Sequence, residues 1–131
     1  MNGDTKLELL RRLPLFAHAS ARELRDIAAR AHEIDVPAGY VLTREGDRGR
    51  EFVVLVEGAA TVETDGRVIA TLGDGDFLGE IALLLYTHRT ATVRTTTPSR
   101  LIVVTERDFR TLVAAVPSFS REVFAAAAAR L

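Results

Sequence analysis

From Pro37 onward, turn-forming residues recur at intervals of roughly 7–12 residues: Pro37-Ala38-Gly39, Gly46-Asp47-Arg48-Gly49, Gly58, Asp65-Gly66 and Gly73-Asp74-Gly75. Between them lie short runs rich in Val, Ile, Leu, Thr and Phe. Such runs are too short for stable helices, and their β-branched content favours strands. The spacing predicts an antiparallel sandwich or barrel. Asp65-Gly66 is the sharpest signal, a two-residue hairpin turn joining residues 61–64 to 67–72. Two further strands are expected at about 90–97 and 100–105, with Pro98-Ser99 as their turn.

Helical patterns flank this region. Leu7, Leu10 and Leu13 form a short apolar stripe. Ser20 followed by Glu23 reads as a capping box opening a second helix. Leu24, Ile27, Ala28 and Ala31 then share one face. Thr105 before Asp108 resembles another N-cap, with Phe109, Leu112 and Val113 inward. Pro117 is expected to break this segment, and Ser118 or Ser120 to cap a final helix of about 12 residues at 1.5 Å each. Phe119, Val123, Phe124 and Leu131 give that helix an apolar stripe. The expected plan is one domain over 1–131: helices at 1–32, a β-roll at 33–105, and C-terminal helices at 106–131. Its fold class is α+β and mainly β, an antiparallel β-roll of jelly-roll type.

Composition narrows the functions. The 131 residues include no cysteine, which removes disulfides, thiolate metal sites and thiol nucleophiles. A net charge of −1 gives no overall field to draw the chain onto nucleic acid. No apolar run approaches the roughly 20 residues of a membrane helix, and the first residues lack the order of a signal peptide. A cytoplasmic location is the resulting expectation. His18, His32 and His88 are scattered without metal-ligand spacing. The serines stand in capping or turn contexts, and Asp74 and Asp76 flank glycines as turn formers. No catalytic pair emerges, so no enzyme is expected.

One stretch breaks the β pattern. Residues 80–85, with Gly79 before them, read as a short helix lodged between two strands. The first N–H groups of a helix lack intrahelical acceptors and favour an anion. Gly79 lets a ligand approach the backbone closely. Arg89 brings a planar fork suited to two phosphate oxygens, and Thr90 a hydroxyl and an N–H beside it. Glu80 would repel a phosphate, but it can accept from hydroxyls such as those of a ribose. Alternatively, Glu80 and Arg89 form a structural ion pair with no ligand.

Gly79-Glu80-Ile81-Ala82-Leu83-Leu84 followed by Arg89-Thr90-Ala91-Thr92-Val93 resembles the phosphate-binding cassette of cyclic nucleotide-binding domains. The upstream Glu45-Gly46-Asp47-Arg48-Gly49, Phe52–Gly58 and Gly75-Asp76-Phe77 segments fit the same family, as do Leu13-Pro14-Leu15-Phe16 and Pro37-Ala38-Gly39. The resemblance implies that Arg89 pairs with the cyclic phosphate and that N–H groups of Ala82 and Thr90 complete its shell. It implies that Glu80 accepts the ribose 2′-hydroxyl beside the Gly79 backbone, with Ile81 and Ala91 in the same cassette. Val62 and Ile69 on the hairpin would wall the base. The sequence departs from the family at His88, where proline often precedes the arginine, and at Leu78, where an aromatic is often found. His88 reads either as a solvent-facing loop residue or as an extra cation beside the phosphate when protonated.

The implied ligand is cAMP, with cGMP as the alternative, and no metal. In the family the terminal helix often acts as a lid and coupling element; here Arg121 and Arg130 are both candidates to reach the base. A homodimer or an effector protein contacting that helix is the implied partner, with no direct nucleic-acid contact and no membrane segment. The rival readings are an interaction or dimerisation module without a nucleotide, and the sensor part of a transcription regulator or other longer protein.

Overall fold

The computed structural model describes residues 3–131; Met1 and Asn2, with which the expected helical segment 1–32 opens, lie outside the described residues. In chain order the elements are α1 (Gly3–Arg11), a 3-10 turn (Pro14–Phe16), α2 (Ala21–Arg30), β1 (His32–Val36), β2 (Val41–Thr43), β3 (Glu51–Glu57), β4 (Ala60–Thr64), β5 (Arg67–Leu72), β6 (Phe77–Leu78), α3 (Glu80–Leu85), β7 (Thr92–Thr95), β8 (Ser99–Thr105), α4 (Glu106–Ala115) and α5 (Pro117–Arg130). The strands form two four-stranded sheets, ordered β1-β8-β3-β6 and β2-β7-β4-β5, and every ladder is antiparallel. This is the mainly β, α+β roll flanked by helices that the turn spacing demands.

The hairpin falls where Asp65-Gly66 puts it. Thr64 pairs with Arg67 across the turn, and Asp65 adopts a left-handed φ of 52°, as a two-residue primed turn needs. β3 is the hinge between two cores. Phe52, Val54 and Val56 point into a core shared with the helices. Val53 and Leu55 point into the core between the sheets. Burial on both faces explains why 52–56 is an unbroken apolar run rather than an alternating one.

Phe52 also anchors the C-terminal helices. Its ring centroid lies 5.1 Å from Phe109 of α4, 5.6 Å from Phe119 of α5 and 5.5 Å from Phe77 of β6, separations at which aromatic pairs attract beyond simple burial. The capping box of α2 is formed: the Ser20 N–H donates to Glu23 at 2.9 Å, and the Glu23 N–H to Ser20 Oγ at 3.1 Å. Thr105 caps α4 by accepting from the Asp108 N–H.

Three expectations need correction. The helical segment does break at Pro117, with α4 ending at Ala115, but no serine caps the helix that follows: Pro117 is itself the first residue of α5, where its missing N–H costs nothing. Ser118 is buried in that first turn and caps nothing. The buried stripe of this 14-residue helix includes Phe119, Val123 and Ala127, while Phe124 and Leu131 are exposed. The strand expected at 90–97 spans only Thr92–Thr95, because residues 86–91 are drawn into the connection that carries Arg89. Among the described residues, no single helix is long and apolar enough to cross a membrane.

Candidate functional site

The chain leaves the first sheet at β6 and enters the second at β7. The crossover consists of α3 and residues 86–91. Gly79 caps the start of α3 at φ 102°, a conformation that L side chains rarely adopt. Space reinforces the requirement: a Cβ at Gly79 would stand 2.6 Å from the Glu51 carbonyl oxygen and 2.9 Å from Arg89 Nη1. Gly49, in the loop before β3, meets the cassette from the other side. A Cβ there would lie 2.6 Å from Ala82 Cβ and 3.3 Å from Arg89 Cζ. Both glycines leave room for Arg89.

The Arg89 side chain is held by main-chain oxygens. Nη1 donates to the Gly79 carbonyl at 3.1 Å and Nη2 to the Glu51 carbonyl at 2.6 Å. Its own backbone is pinned too, the N–H to Asp47 O at 2.6 Å and the carbonyl accepting from the Gly46 N–H at 2.8 Å. The guanidinium is therefore aimed before any ligand arrives, and its other donors have no protein acceptor among the described residues. Burial lowers its pKa, opposed by the carboxylates of Glu51 and Glu80; an arginine remains protonated in proteins nonetheless. The result is a partly desolvated, pre-aimed cation, the form in which charge-assisted hydrogen bonds are strongest.

Glu80 is the unusual group. It is 1% exposed, and one carboxylate oxygen, Oε1, is paired with Arg130 of α5. The other, Oε2, is buried with no hydrogen-bond partner. Leaving a buried acceptor unpaired costs about 1–3 kcal/mol, more for a charged group. An ion pair between Glu80 and Arg89 is not formed among the described residues; Glu80 is paired with Arg130 instead.

These groups share a cavity of about 310 Å³, within the range of small-molecule sites. Gly79, Glu80, Ile81, Ala82, Arg89, Thr90 and Ala91 line one side, and Val62 and Ile69 of the hairpin line another. All nine residues singled out in the sequence thus surround one space. The hairpin is tied to the cassette, since Thr64 Oγ1 donates to the Thr90 carbonyl at 3.3 Å. The Asp65 N–H donates to Glu45, whose own N–H is held by Thr92 Oγ1 at 3.0 Å.

Thr43, Ala70, Leu72, Phe77 and Val93 also line the cavity, though none of them was expected as a site residue. His88, exposed as expected of a loop histidine, also borders the cavity. Of Arg121 and Arg130, it is Arg130 that lines the cavity, its guanidinium carbon 5.1 Å from the Phe77 ring centroid. A signal for it existed. Arg130 stands three residues after Ala127 and seven after Val123, on the buried face of α5, whereas Arg121 lies off that face.

Comparisons with known proteins agree with this geometry. A cyclic nucleotide-gated potassium channel of Rhizobium etli is 33% identical over 116 residues, covering 88% of this chain and 32% of the channel. A cAMP-dependent protein kinase regulatory subunit of Schizosaccharomyces pombe is 32% identical over 106 residues, covering 80% of this chain and 26% of the subunit. The chain thus spans about a third or less of the curated relatives it matches. The regulatory domain of Toxoplasma gondii PKA, solved with cAMP, is 28% identical and superposes with a TM-score of 0.73, covering 84% of this chain and 44% of that one. The profile of the cyclic nucleotide-binding domain matches residues 33–115, from β1 through the crossover to α4. The roll, its crossover and that match lead to one assignment: the chain belongs to the cyclic nucleotide-binding domain family.

Proposed function

We propose that this domain is a sensor of cyclic nucleotide, with cAMP as the ligand, and that α5 reports occupancy of the cavity. Its role is binding rather than catalysis, carried out as a single unit by the roll and its helices. The carrying observation is Glu80 Oε2, a buried anionic acceptor without a donor, in the same cavity as the pre-aimed Arg89. A ligand that satisfies both needs an anion and a hydroxyl donor held close together, and the cyclic phosphate and ribose 2′-OH of a cyclic nucleotide supply them. Arg89, with N–H groups of Ala82 and Thr90, would hold the phosphate. Glu80 would accept the hydroxyl beside Gly79, with Ile81 and Ala91 in the same shell. Val62 and Ile69 would cover the base.

The preference for cAMP draws on relatives named for or solved with that nucleotide. Transmission follows from Arg130, which touches both Glu80 and Phe77 from the last turn of α5. A ribose hydroxyl donating to Oε2 removes the cost of a buried unpartnered acceptor beside the Arg130 contact, so occupancy shifts the population toward docked α5.

Calorimetric titration with cAMP and cGMP tests the ligand. Arg89→Ala removes charge-assisted bonds worth about 1.5–3 kcal/mol each, so affinity should fall from tenfold to well over a hundredfold and become unmeasurable at micromolar concentrations. Unchanged affinity would end this reading. Amide exchange in α5 should slow when cAMP is added to the unmodified chain; exchange that ignores the nucleotide would remove the transmission role.

A further inference from the structure

The far end of α3 is as unusual as its start. Its C-cap, Tyr86, is held at φ 55° and ψ 41°, a left-handed conformation that a bulky residue adopts only with strain. Burial does not hold it there, because Tyr86 is 77% exposed. Its ring instead carries the Arg110 guanidinium of α4, whose carbon lies 4.2 Å from the ring centroid.

Arg110 Nη2 continues to Glu106 Oε2 at 2.8 Å, and Glu106 Oε1 lies 3.7 Å from Arg48 Nη2. Arg48 pairs through its backbone with His88, and the adjoining Gly49 packs against Ala82 and Arg89. The Glu106 N–H donates to the Arg50 carbonyl at 2.8 Å, fixing α4 to that same loop. The chain of contacts therefore leaves α3, crosses α4, and returns through the 46–50 loop to the residues beside Arg89. It is closed, and its side-chain members lie outside the cavity.

We propose that Tyr86, Arg110, Glu106 and Arg48 form a strap of positioning residues that presses the loop bearing Gly49 and the crossover bearing Arg89 together. Through it, α4 tunes nucleotide affinity without touching the ligand. The inference rests on the reading of α3 and Arg89 as the phosphate site. It accounts for a strained aromatic where glycine would be free of strain: the ring is the strap's attachment to the cassette.

The test separates positioning from mere local structure. Tyr86→Gly relieves the left-handed strain, so resistance to urea should hold or rise. Affinity for cAMP should nevertheless fall about two- to fivefold, the effect of losing an exposed cation–π contact. Arg110→Met should give the same fall, and the double variant should be no worse than either single one, because both cut one strap. Tyr86→Phe, which keeps the ring, should restore affinity to about the unmodified value, and Arg110→Lys, which keeps the cation but not the planar fork that reaches both the ring and Glu106, should restore part of it. If the unmodified chain binds cAMP but both single variants bind equally well, or if their losses add, the strap is wrong and the site stands. If the unmodified chain binds neither cAMP nor cGMP, the nucleotide reading fails and takes the strap with it.

Discussion

The two ends of α3 adopt the same backbone hand for opposite reasons. At Gly79 the left-handed turn is enforced by crowding, with a backbone carbonyl and Arg89 where a side chain would be. At Tyr86 the turn carries a large, exposed side chain whose ring meets Arg110 of α4. One end builds a binding site by excluding side chains; the other uses a side chain to attach that site to a neighbouring helix. The two ends should therefore respond in opposite directions to substitution.

The largest break is expected at Gly79. Gly79→Ala places a Cβ against the Glu51 carbonyl at a φ that costs an L residue roughly 1–3 kcal/mol before any clash is counted. Urea denaturation should show a clearly lowered midpoint, and the folded fraction should lose cyclic nucleotide affinity because Arg89 is displaced. A variant with unmodified stability and affinity would mean that the crowding around Gly79 is not real.

Glu80→Gln sharpens the same end with a smaller effect. The amide keeps the shape and one acceptor but replaces a charge-assisted bond to the ribose hydroxyl with a neutral one. The difference is about 1 kcal/mol, so calorimetry should read a five- to tenfold loss. Because the site presents the carboxylate for a hydroxyl, a 2′-deoxy cyclic nucleotide should bind both forms with nearly equal affinity. Discrimination against the deoxy ligand that is undiminished in Glu80→Gln would place the hydroxyl contact elsewhere.

Much of this was legible because local rules decided it. The Asp65-Gly66 hairpin, the Ser20–Glu23 capping box and the Gly79–Arg89 spacing each follow from a few adjacent residues, and the structure contains all three. What was not legible depends on how separate elements dock. The partner of Glu80 is set by rotation of α5 about its axis, which Phe119 fixes by packing against Phe52. Phe124 and Leu131 look like core residues by type, yet that rotation turns them outward. Tyr86 could not be foreseen at all, since its residue type argues against the conformation it adopts.

The smallest effect tests the opening contrast most directly. Asparagine tolerates the left-handed region better than other residues with a side chain, yet it has a Cβ like them. At position 79 the Cβ is the obstacle, so Gly79→Asn should be as destabilising as Gly79→Ala despite its conformational tolerance. At position 86 there is no such obstacle, so Tyr86→Asn should fold with stability within about 1 kcal/mol of the unmodified chain. It would lose the Arg110 contact and gain relief of backbone strain, two terms of similar size and opposite sign. Matched urea curves for the two asparagine variants decide the point. Equal losses at both positions would mean that backbone hand alone governs the ends of α3, and that neither crowding at one nor the arginine contact at the other distinguishes them.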